Sequence, residues 1–74
     1  MMHAARLENS PRLQRVLDVL MTGRDLTTLD IVVEAGVCAV NSCIAELRAN
    51  GYDIRCWREG DVWLYRLEGE YGPG

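Results

Sequence analysis

At Asn50-Gly51 the apolar pattern changes period. Before this pair, apolar residues recur every three or four positions; after it they alternate with polar ones. The first period belongs to helices with one buried face and the second to half-buried strands. The switch dictates a chain that is helical first and ends in strands.

Ser10-Pro11 opens the helical part. Ser is a good N-cap, and Pro is tolerated at the first helical position because its missing N–H has no partner there. Leu13, Val16, Leu17 and Leu20 then fall at i, i+3, i+4 and i+7 as one stripe, and Gly23 is the expected stop. A second helix starts at the cap residue Thr27, with Asp30 three residues on as a short-armed capping box, and runs to about Ala35. Ile31, Val32 and Val33 are β-branched and lean towards strand when isolated. The cap before them and Gly36 after them favour helix. Gly36-Val37 is the expected turn, with Val37 pointing into the core. A third helix is expected from about Ala39 to Asn50, with Val40, Ile44 and Leu47 inward and Ala39, Asn41, Ser42, Ala45, Glu46 and Arg48 outward.

Beyond Gly51, Asp53 to Arg58 and Val62 to Leu67 read as a hairpin turning at Glu59-Gly60-Asp61. Alternation places Tyr52, Ile54, Cys56, Trp63, Tyr65 and Leu67 towards the helices. Arg55, Trp57, Leu64 and Arg66 then face outward. The expected fold class is α+β, mainly α. Residues 1–9 form an arm, residues 10–67 the domain, and residues 68–74 a disordered acidic tail.

A chain of 74 residues is one domain at most, and one that buries only about 60% of its unfolded surface. Its 49% hydrophobic content suffices for one core, and dimerisation could add to it. The net charge is −3. The deficit sits in Asp25, Asp30 and Glu34 and in the tail carboxylates Glu68 and Glu70, whereas residues 37–67 are neutral. All eight basic residues are Arg and are spread along the chain, which reads as the bias of a GC-rich coding sequence. Three cysteines without a pairing pattern and no leader segment point to a reducing, cytoplasmic setting. No apolar run approaches membrane-spanning length. Cys38, Cys43, Cys56 and His3 could formally supply four metal ligands but lack the spacing of a zinc site, so buried thiols are the expectation, with no metal and no cofactor. His3 is the only histidine, and no nucleophile–base–acid set, phosphate loop or paired carboxylate motif is present. The chain does not read as an enzyme.

The stretch LTTLDIVVEAGVCAVNSCIAELRANGYDI, with a Trp/Tyr-rich hairpin ending in Tyr65-Arg66-Leu67, resembles the small winged helix-turn-helix domain proteins of bacteriophages and prophages. The likeness spans roughly residues 10–67. Its most specific piece is Ile44-Ala45-Glu46-Leu47-Arg48 followed by Gly51-Tyr52 and Ile54. The resemblance implies a three-helix helix-turn-helix core with a C-terminal two-stranded β-hairpin wing. It also implies binding of double-stranded DNA as a transcriptional regulator or recombination directionality factor. Members often carry Arg at the position occupied here by Cys43.

On that footing the third helix enters the major groove and its first residues reach base edges. Asn41 can pair with adenine and Ser42 with a base or phosphate, while Arg48 lies further along and meets phosphate. Arg55 and Arg66, as cross-strand neighbours, and Arg58 at the tip would hold the backbone. Read without the resemblance, these are solvated polar positions. Trp57 beside Leu64 on the outer face is a candidate anchor for a host protein or a second copy. A bulge of one residue would instead turn Trp57 inward. A protein-interaction module without DNA binding, self-associating as a homodimer or binding a host factor, is therefore the alternative.

Overall fold

The computed structural model describes residues 9–70, with the side chains described to Gly69. The order is α1 (Pro11–Leu20), β1 (Leu26–Thr27), α2 (Thr28–Ala35), α3 (Val40–Ala49), β2 (Tyr52–Glu59) and β3 (Val62–Glu70). Three helices cover an antiparallel sheet of order β1-β3-β2.

Local chemistry sets the helix ends. The Ser10 hydroxyl accepts from the Leu13 N–H at 3.2 Å, and Pro11 takes the first helical position. At α2 the capping box is complete. The Asp30 N–H donates to Thr27 Oγ1 and the Thr27 N–H donates to Asp30 Oδ2, both at 3.0 Å. Gly36 closes α2 in the left-handed region at φ 67°, its N–H donating to the Val32 carbonyl. The four residues Gly36 to Ala39 link α2 to α3, whose axes differ by 85°. The outermost residues expected in α3 are its caps, since Ala39 precedes the helix and Asn50 closes it.

The core takes Leu13, Val16, Leu17 and Leu20 from α1, Ile31 and Ala35 from α2, and Val40, Cys43, Ile44 and Leu47 from α3. Val37, Leu26, Tyr52, Ile54 and Tyr65 complete it. Burying a Leu or Ile side chain stabilises by roughly 1.5–3 kcal/mol. The helix-propensity cost of a β-branched residue is below about 0.7 kcal/mol. Ile31, fully buried, thus outweighs the strand preference of its neighbours.

Three sequence expectations change. The sheet has three strands, because Leu26 and Thr27 pair with Tyr65 and Leu64. The sheet continues past Leu67, where composition had placed the start of a tail. Tyr52 pairs with Glu70 and Asp53 with Gly69, with a register shift before Ile54 and Leu67. Trp63, expected against the helices, is 48% exposed, whereas Tyr65 on the same pleat face is 3% exposed. Trp63 stands two residues nearer the hairpin tip, beyond the part of the sheet that the helices cover. The rest of the expected arm, residues 1–8, and residues 71–74 of the expected tail lie outside the described residues.

Candidate functional site

The first turn of α3 follows directly from the Gly36 turn. It buries Val40 and leaves Asn41 and Ser42 exposed. Asn41 is held from behind: Tyr65 Oη donates to its Oδ1 at 3.1 Å. That bond orients the amide and leaves the Nδ2 hydrogens for a ligand.

These two residues line a groove of about 700 Å³ between the start of α3 and the inner face of the hairpin. Thr28, Cys38, Cys56 and Trp63 form its other walls. Among the described residues, no charged side chain lines it. Trp63 also borders a second hollow of about 400 Å³ with Leu29, Val62 and Asp61. Leu29, at 67% exposed, and Val62, at 44%, make this the apolar side of the site.

The arginines separate from one another. Arg48 is committed to the fold, its Nε and Nη2 donating to the Ile54 carbonyl at 3.2 and 2.6 Å. That ties the end of α3 to β2 through two of the three guanidinium nitrogens, on a residue that remains exposed. Arg58 shares the inner face with Trp63, its direct cross-strand partner. Its Nε donates to the Gly60 carbonyl at 2.6 Å, and its Nη2 lies 3.7 Å from Asp61. Arg55 and Arg66 oppose each other across β2 and β3, as alternation predicts, but on the outer face, away from Asn41 and Ser42. Arg55 lies over the Trp57 ring at 5.2 Å, and Arg66 Nε is 3.8 Å from Asp25.

Trp57 stays on the outer face opposite Leu64, and both are half-buried. The register shift falls at Asp53/Ile54, too far along β2 to turn Trp57 inward. Its indole N–H donates to Glu59 at 2.8 Å.

Cys43 is fully buried and accepts from Arg12 Nη1 at 2.9 Å, while Arg12 Nη2 donates to Glu46 at 2.7 Å. A side chain at this position points into the molecule. The absence of Arg at position 43 therefore removes no contact from the outward face of α3. The expectation of buried thiols holds for Cys43 but not for Cys38, which is exposed, and Cys56 is half-buried. Among the described residues, no cluster of three potential ligands could hold a metal ion, and His3 lies outside them.

Thr28 was not singled out from the sequence, Trp63 was read only as facing the helices, and Cys38 only as a buried thiol or formal metal ligand. The signal for Trp63 was its place three residues past Gly60, too close to the tip to be covered. Among the described residues, no single helix is long and apolar enough to cross a membrane. No family model, no curated protein and no solved structure matches this chain.

Proposed function

We propose that the chain is a winged helix-turn-helix protein that binds double-stranded DNA, with α3 in the major groove and the β2–β3 hairpin as its wing. One observation carries the reading: Asn41 and Ser42 stand exposed at the start of α3, with the Asn41 amide fixed by Tyr65. An oriented Asn amide can bond adenine at N6 and N7. The joint before α3 supports it. Helix-turn-helix units cross at about 90–120° through a short turn that often contains Gly. Here the angle is 85° and the turn begins with Gly36. Arg58 near the hairpin tip is the cross-strand partner of Trp63, and its pair with Asp61 is long and solvent-exposed. Such a pair contributes about 0–1 kcal/mol and gives way to a phosphate. Regulation or directional recombination in a phage or prophage is the role that fits a module of this size.

The test is binding of labelled duplexes, including DNA from upstream of its own gene, over a range of salt. Phosphate contacts make the affinity fall steeply as salt rises. Asn41→Ala should cost about 1–3 kcal/mol on a preferred site and much less on mixed sequence. Absence of binding at low salt would end this reading.

A second reading, a protein-interaction module, is favoured by the exposed Leu29, Val62 and Trp63 around the smaller hollow. A second copy is its simplest occupant. Sedimentation over a wide concentration range tests it: a dimer that Leu29→Ser dissociates supports it, and a monomer throughout rejects it.

A further inference from the structure

Resting on the DNA-binding reading above, we propose that the groove between α3 and the hairpin takes one unpaired nucleotide of a DNA strand. Its base stacks on Trp63 and its edge meets Asn41.

In an intact duplex only base edges are accessible, because the faces are hidden in the stack. Asn41 and Ser42 suit edges. Trp63 does not: a half-exposed indole offers a flat apolar face, and its natural partner is another flat ring. The two kinds of contact meet in one groove. Its volume of about 700 Å³ lies within the range of small-ligand sites, about 300–1,000 Å³. The lining matches an uncharged heterocycle, with Trp63 as the face, the free Nδ2 hydrogens of Asn41 and the Ser42 and Thr28 hydroxyls at the edge, and no charged side chain among the described residues. The charge sits at the rim. Arg58 lies directly across from Trp63 on the same face of the hairpin, where the phosphate of a stacked nucleotide would meet it. A neutral floor and a rim arginine, whose long and exposed pair with Asp61 a phosphate can displace, together complement a nucleotide within a strand. The DNA that satisfies the whole face is a duplex interrupted by an unpaired nucleotide, or a single strand.

The experiment uses the full chain carrying Trp57→Phe, so that Trp63 is the sole tryptophan and its fluorescence reports the groove. Four probes are titrated: an intact duplex, the same duplex with one unpaired thymidine, a single-stranded thymidine oligomer, and thymidine monophosphate. The expected result is quenching of Trp63 by the second and third probes, with the interrupted duplex binding about tenfold tighter than the intact one. Trp63→Ala should abolish that preference, while Trp63→Phe should keep part of it. The side chain is half-exposed, and circular dichroism verifies that both variants fold. Equal binding of intact and interrupted duplexes, or a preference that survives Trp63→Ala, overturns the inference and leaves the duplex reading standing. Saturation by the mononucleotide at the concentration that saturates the oligomer overturns the assignment to a strand. Failure of every DNA probe to bind removes both readings.

Discussion

Asp30 is the side chain through which acid should act on the fold. Its carboxyl is held below the usual Asp range, first by the Thr27 backbone N–H, then by the Thr27 side chain. A lowered folded-state pKa adds stability that is fully present above the unfolded value. That stability is lost as pH falls through the lowered one. The melting temperature should therefore drop on acidification below the ordinary Asp pKa of about 3.9. Asp30→Asn should lower stability at neutral pH and flatten this acid slope. An unchanged slope in Asp30→Asn would place the acid sensitivity elsewhere. The thiols make a second residue-scale prediction. With an aromatic disulfide reagent, exposed Cys38 should react fast and half-buried Cys56 more slowly, while Cys43 should react only after denaturant unfolds the chain. A third thiol titrating in native buffer would contradict the burial of Cys43.

Elements whose causes are local were legible in the sequence. The Ser10-Pro11 cap and the stripe from Leu13 to Leu20 fix α1, and the capping box fixes the start of α2. Strand β1 was not legible, because Leu26 and Thr27 are a strand only by virtue of pairing with Tyr65 and Leu64 far along the chain. Alternation assigned Trp63 to its pleat face but carried no information on how far the helices extend over the sheet. The interior placement of Cys43 was available: with Val40, Ile44 and Leu47 it completes an i, i+3, i+4, i+7 stripe. Of the site, Asn41 and Ser42 were legible from their place in α3. The bond that fixes Asn41 depends on a tyrosine from β3 and was not. The turn between α2 and α3 yields a clean element-scale test. Gly36 is left-handed, and a Cβ there would meet nothing within 4 Å. Gly36→Ala should thus cost about 1–2 kcal/mol through backbone strain alone. Gly36→Asn should cost less, since Asn tolerates this region. Equal losses in denaturant melts would point to a side-chain clash instead.

For the molecule as a whole, the acidic total and the DNA reading are compatible because the charges are partitioned. Arg24 pairs with Glu34 and Arg12 with Glu46 as neutral pairs, and among the described residues no acidic side chain lines the groove at Asn41 and Ser42. The margin for damage is narrow. Leu13 and Leu47 are fully buried, and truncation of such a Leu to Ala costs about 2–5 kcal/mol. The total stability of a domain is about 5–15 kcal/mol, and a chain this short sits at the low end. Leu47→Ala should therefore leave only about 0–3 kcal/mol and melt far below the parent by circular dichroism, whereas Trp63→Ala should melt near the parent.

The strand order β1-β3-β2 also has a consequence for synthesis. The middle strand is the last one made, so neither β1 nor β2 has a sheet partner while the chain is growing on the ribosome. An isolated strand or a lone hairpin is marginal in water. Nascent chains arrested at Gly60 should be digested readily by protease. Resistance should appear only once Glu70 has cleared the exit tunnel and β3 can join both neighbours in one step.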